Sequence, residues 1–337
     1  MSSSIRRSRG VLVVAAGVLA ATLMAGCGEQ RSDVGAVEAA RDDAVAGATE
    51  ATVALPTGSL SVGVGTPISS VPAADTDDRR ALQAPAGGSI VPVRMSFDSG
   101  EQPWTPLLAL EPEVPEVTLA VGDREYDLPA PYRTPGGTAL ADAPDDAFYV
   151  AVDASPEEAR SAEIRIDYDG LLQTVSADGR VEAGQAAGLP APGIPRAVPL
   201  DCPRSGWTVR GTSRPVPVGC EVGVLGLTPY WPGLGWAPTG RSWLVVEVET
   251  LRPDLSAVAA GDATAVADRS TVDGVRAVVP LQAEASGRPG VLGGRAVFSV
   301  PTATTVVDLR LGGRFRLPDD APRGGEVSVD RTLRVRL

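Results

Sequence analysis

Apolar and polar residues alternate with a period of two along several short stretches of this chain. Val91, Val93 and Met95 alternate with Pro92, Arg94 and Ser96, and Leu244, Val246 and Val248 alternate with Val245, Glu247 and Glu249. Successive side chains on a strand point to opposite faces, so runs of this kind predict strands with one face buried. Few stretches carry the spacing of an amphipathic helix, and 38 Gly and 30 Pro interrupt the 337 residues. Short alternating runs separated by turn residues predict an all-β, antiparallel sandwich architecture.

The pattern occurs twice. Val62-Gly63-Val64, followed by Thr66-Pro67, matches Val222-Gly223-Val224, followed by Thr228-Pro229. The run at Val91 matches the run at Leu244, Tyr149-Val150-Ala151-Val152 matches Val297-Phe298-Ser299-Val300, and Glu163-Ile164-Arg165-Ile166 matches Asp308-Leu309-Arg310-Leu311. The offset falls along the chain, which predicts extra loop residues in the first copy, at Pro103 to Pro115 and Pro129 to Asp146. The expected organisation is a signal peptide over 1–26, a flexible tether over 27–55 (with a weak helix conceivable at Val37 to Ala48), and a first sandwich over 56–185. A Pro/Gly/Ala-rich linker over 186–203 and a second sandwich over 204–337 follow.

The N-terminus has its own logic. Arg6, Arg7 and Arg9 precede an apolar run from Val11 to Ala25, and the run ends on small residues. That is the layout of a signal peptide, and the run is shorter than the roughly 20 residues needed to span a bilayer. Leu23-Met24-Ala25-Gly26-Cys27 resembles the bacterial lipobox, with Met24 departing from its commonest form. The resemblance implies cleavage before Cys27 and diacylglycerol on its sulfur, hence anchorage to the extracytoplasmic face of the cell membrane. Cleavage near Ala25 with plain secretion is the alternative. Ser8-Arg9-Gly10 stands where a twin-arginine signal needs apolar residues, so general secretion is expected.

Composition narrows the chemistry. The chain has no His, no Lys and no Asn. Ser-His-Asp and Cys-His catalysis, histidine-ligated zinc, Ser-Lys dyads and Schiff bases are therefore excluded. With 42 acidic residues against 30 Arg the formal charge is -12, and -15 once cleavage before Cys27 removes three Arg; an acidic surface of that size is expected to repel phosphate backbones and anionic membranes, which makes nucleic acid an improbable partner. Two cysteines remain after Cys27. In an exported protein Cys202 and Cys220 are expected to form a disulfide; without histidine they make a poor metal site. The loop they close contains Trp207 and is expected to cover apolar surface.

What remains is carboxylate chemistry and cation binding. Asp98-Ser99-Gly100 after the strand ending at Phe97 superficially resembles half of an aspartic protease site, but no second copy follows a comparable strand, and a strand-capping turn explains it. Acids cluster at Asp75, Asp77 and Asp78, at Asp142, Asp145 and Asp146, and at Asp262, Asp268 and Asp273, none in an EF-hand pattern. No cofactor, metal or catalytic residue is assigned.

One stretch invites a binding role. Thr228 to Pro238 carries Tyr230, Trp231 and Trp236 in a Pro/Gly-rich connection, where aromatic rings could stack on a sugar or a partner protein. The first copy has Ser69 to Ala74 there and no aromatic. The competing reading has Trp231 and Trp236 covering the sandwich end or packing under the disulfide loop. Trp243 opens a strand and is expected in the core.

Ser242-Trp243-Leu244-Val245-Val246-Glu247-Val248 early in the second copy and Val297-Phe298-Ser299-Val300-Pro301 late in it resemble the immunoglobulin-like domains of actinobacterial secreted lipoproteins. Those include the immunoprotective extracellular antigen type and a related domain of unknown function. The resemblance implies two tandem immunoglobulin-like sandwiches and carries no catalytic site. The expected function is a non-enzymatic interaction or cell-envelope module, with a possible cell-wall or protein partner on the second domain. The alternatives are a small-ligand or cation-binding lipoprotein accessory to a transporter and a carboxylate-based cell-wall hydrolase.

Overall fold

The computed structural model describes residues 31–41, 45, 48–98, 113–130, 143–189, 198–202, 205–213, 216–256, 258–259, 261–283, 290–319 and 325–337. Nearly all regular structure is antiparallel β. Cys27, the signal peptide and most of the two expected loop insertions lie outside the described residues.

In the first half the strands are β1 (Val37–Ala39), β2 (Thr49–Leu55), β3 (Gly58–Val64), β4 (Ser70–Val71), β5 (Leu82–Gln83), β6 (Ser89–Asp98), β7 (Glu116–Val121), β8 (Arg124–Asp127), β9 (Ala143–Val152), β10 (Glu163–Tyr168), β11 (Leu171–Ser176) and β12 (Val181–Glu182). A front sheet has the order β1-β9-β6-β3-β2 and a back sheet the order β12-β11-β10-β7-β8. Val62, Val93 and Val150 of the front sheet and Leu119, Ile164 and Ile166 of the back sheet belong to one buried core. Each lies on an alternating strand, so period-two burial puts them all on the inner faces. A short α-helix, α1 (Pro156–Ala159), begins at a capping box in which Ser155 and Glu158 satisfy each other's backbone amides.

The second half contains β13 (Val198–Leu200), β14 (Thr208–Arg210), β15 (Val218–Thr228), β16 (Tyr230–Trp231), β17 (Gly235–Trp236), β18 (Arg241–Pro253), β19 (Thr264–Asp268), β20 (Thr271–Val272), β21 (Val275–Arg276), β22 (Gln282–Ala283), β23 (Leu292–Pro301), β24 (Val306–Arg316) and β25 (Glu326–Arg336). Its front sheet runs β13-β15-β18-β23-β22 and its back sheet β14-β25-β24-β20-β21, with β19 also on β24.

The halves share both order and register. β2-β3-β6-β9 of the first front sheet has the order of β13-β15-β18-β23 in the second. Val62 faces Met95 as Val222 faces Val248, and Val91 faces Val150 as Leu244 faces Phe298. A one-residue slip would turn every side chain to the opposite face, so agreement in register at both pairings makes the correspondence specific.

Two boundaries differ from expectation. The segment read as a tether is folded from its first described residues: β1 pairs with β9, β2 pairs in full with β3, and Val45 is buried. Ala51, Val53 and Leu55 alternate inward, which ties this acidic, Ala-rich stretch to the core, and Val37–Ala39 is strand rather than helix. The linker also ends early, because Val198–Leu200 pairs with β15 and already belongs to the second front sheet.

Candidate functional site at the joint between the halves

The three aromatic residues read as a binding platform form the joint between the halves. After β15 the chain turns into the hairpin of β16 and β17, where Tyr230 pairs with Trp236 and Trp231 with Gly235. Thr228 fixes the entry, its hydroxyl donating to the Tyr230 carbonyl at 3.0 Å. Gly233 and Gly235 take positive φ of 78° and 72°, which L-residues rarely adopt. The hairpin folds back onto the outer face of its own front sheet. There Trp231 is 5% exposed, and the Trp243 indole donates to the Gly235 carbonyl at 3.0 Å. Trp243 is buried as expected, but on this outer face, with Val245 and Val297, rather than between the sheets.

The corresponding place in the first half is filled differently. Val71 and Leu82 of the β4–β5 connection cover Ile90 and Tyr149, the positions that match Trp243 and Val297. Both halves thus cap the same outer corner with the connection after the same strand, but only the second cap is aromatic and extends further.

It extends onto the first half. Tyr230 meets Tyr168 edge-on at a centroid distance of 5.6 Å and Trp236 at 5.1 Å, geometries favoured by aromatic quadrupoles. Trp236 Nε1 donates to the Tyr168 carbonyl at 2.8 Å, and Gln185 Nε2 donates to the Ala237 carbonyl at 2.6 Å. Tyr230, Trp231, Ala237 and Trp243 belong to the same buried cluster as the first core. Neither sequence reading placed these rings here, because their partner Tyr168 lies on another sheet of another half.

Charge collects at the edge of the joint. Asp169, at φ 51° in the β10–β11 turn, lies beside Gly235, where a Cβ would come within 3.0 Å of its carboxylate. Burial and the neighbouring Asp169 push the Glu113 carboxyl above its ordinary range, and the two carboxyls share a hydrogen bond. Burial, reinforced by the charges of Asp169 and Glu113, likewise pushes the Tyr230 phenol up. Glu113 and Asp169 are both exposed, so solvent screens the interaction between them.

Cys202 and Cys220 form the disulfide, with Cα atoms 5.7 Å apart. Val246, Val248 and Phe298 of the second front sheet form a buried core with Leu309, Leu311 and Val329 of its back sheet, and Cys202, Cys220 and Trp207 all pack against it, so this loop covers apolar surface without using Trp231 or Trp236. Among the described residues no three His, Cys, Asp or Glu side chains gather closely enough to hold a metal. The acids serve turns and pairs: Asp78 accepts from the Arg80 amide, Asp268 from the Ser270 and Leu281 amides, and Asp262 pairs with Arg252. Asp142 lies outside the described residues, as do Ser99 and Gly100 beyond Asp98. No helix among the described residues is long and apolar enough to cross a membrane. No family model, no curated protein and no solved structure matches the chain.

Proposed function

We propose that the chain is a lipid-anchored, extracytoplasmic interaction module of two tandem immunoglobulin-like sandwiches, without catalytic activity of its own. The observation that carries this reading is the architecture: two halves repeat one strand order and register, and the aromatic hairpin of the second packs against the first, with Tyr230 and Trp231 buried and Trp236 half-buried. The repeated strand order, common register and two facing sheets per half support the immunoglobulin-like assignment. The lipobox-like run before Cys27 supports the anchor, whose two acyl chains suffice for stable attachment where one is marginal.

Mass analysis of the N-terminal peptide from native cells tests the address. A diacylated peptide beginning at Cys27, lost in Cys27→Ala together with detergent-phase partitioning, is the expected result. An unmodified chain cut near Ala25 would overturn it. Crosslinking in intact cells tests the role: adducts to an envelope component are expected, and recovery of the chain only as an uncrosslinked species would count against an interaction module.

A further inference from the structure

The charge of this acidic protein is unevenly distributed. Residues 31–189 carry 27 acids against 10 Arg, whereas residues 190–337 carry 17 Arg against 14 acids. Much of the second half's positive charge lies on one surface, the outer face of its back sheet. On β24 and β25 the odd-numbered Val307, Leu309, Leu311, Val327 and Val329 are buried, and even positions face even positions across the pair. The even positions therefore point outward.

Arg310, Arg314 and Arg316 stand on that face, paired with Asp330 and Glu326 at 2.8 to 3.9 Å. Five further exposed arginines share it: Arg334 and Arg336 on β25, Arg210 on β14, Arg276 on β21, and Arg269 beside Gly312. None of these five forms an ion pair among the described residues. Asp308 is the third acid of the face, and Asp273 stands at its rim, where it accepts from the Asp308 amide at 2.8 Å. Eight arginines against three acids give this face an excess of positive charge. Strands about 4.8 Å apart and outward residues about 7 Å apart set its spacing.

We infer that this arginine-bearing sheet face is a docking surface for anionic phospholipid headgroups, which lays the second half against the membrane that holds the anchor. The inference rests on the anchor proposed above, and the folded start of the chain strengthens it. Ser32 already donates its amide to the Gln83 carbonyl at 2.9 Å. Four chain steps of about 3.5 Å each link Cys27 to Arg31, so the start of the first half is held within roughly 15 Å of the lipid. Arginine's planar fork matches phosphate oxygens in pairs, and forks spread over β14, β25, β24 and β21 suit a layer of phosphates better than a single small anion.

The chain from Cys27 onward, which contains every described residue, is produced without lipid and sedimented with vesicles. The vesicles are neutral phosphatidylcholine or a mixture rich in phosphatidylglycerol. Binding to the anionic vesicles only, against the protein's net charge and abolished by high salt, is expected. The double variant R334E/R336E should lower it at least tenfold, while R80E/R180E, on exposed arginines of the first half, should leave it unchanged.

No binding to the anionic vesicles, or equal loss in both double variants, overturns the inference. Binding to soluble polyphosphate without binding to vesicles overturns it in favour of a free polyanion. Self-association lost in R334E/R336E without vesicle binding overturns it in favour of a second copy of this chain. If Cys27 proves unmodified in cells while the vesicle result holds, the anchor fails and the face stands.

Discussion

The indole nitrogen of Trp236 donates to the main-chain carbonyl of Tyr168, 2.8 Å away and 68 residues earlier in the chain. That bond crosses from one half of the molecule to the other, so its removal reports on coupling as well as on local packing.

Trp236→Phe keeps a ring and deletes the donor. It should cost about 1 kcal/mol, while Trp236→Ala, which also empties half-buried space, should cost about 2 kcal/mol or more. Calorimetry checks the coupling: the wild-type chain is expected to unfold in closely overlapping transitions, and the Ala variant in two separated ones.

Trp231 is the deeper anchor. Replacing it by Ala opens a cavity against Trp243, Val245 and Val297 and should cost about 3–5 kcal/mol. Hydrogen exchange should rise first in β16, β17 and the adjoining part of β18, with the first core protected; a uniform rise over both halves would contradict the assignment of this ring to the second half's outer face.

Reduction of Cys202–Cys220 should act on the second half alone. Opening a loop of this length costs about 3 kcal/mol in the chain-entropy account, so the paired variant Cys202→Ser with Cys220→Ser should lower the second transition of the uncoupled protein and leave the first in place.

The joint should also sense pH through Glu113. Its folded pKa is raised, first by burial and then by Asp169, so the folded state binds a proton more tightly than the unfolded state. The resulting contribution is fully present below the unfolded carboxylate value and is lost as pH rises through the folded one. Because Glu113 is exposed, solvent screening keeps the effect small. Glu113→Gln should flatten this part of the pH dependence of unfolding; an unchanged profile would remove Glu113 from the account.

Much of the fold is legible in the sequence because strand burial is local. The alternation at Val91 and Leu244 and the landmarks at Val62 and Val222 each imply an inner face, and the observed pairings follow from them. The segment Thr49–Leu55 escapes that reading because its inward residues are Ala51, Val53 and Leu55, too small and too few to outweigh the acids around them. The signal that could have found it is the hairpin grammar of Pro56-Thr57-Gly58 between Leu55 and Leu60. The joint was not legible for a different reason: Tyr168 closes one strand of an ordinary hairpin, and nothing near it in sequence marks the partner that covers it.

The two sides of the joint are unlike. One is an aromatic cap after the second strand of the second front sheet, and the other is the β10–β11 turn of the first half. The first half's own cap, built on Val71 and Leu82, carries no such rings. The contact therefore has a polarity: exchanging the order of the two copies along the chain would leave a turn facing a cap that has nothing to grip it. The two halves are not interchangeable parts, and their order in the polypeptide is a fixed property of the molecule.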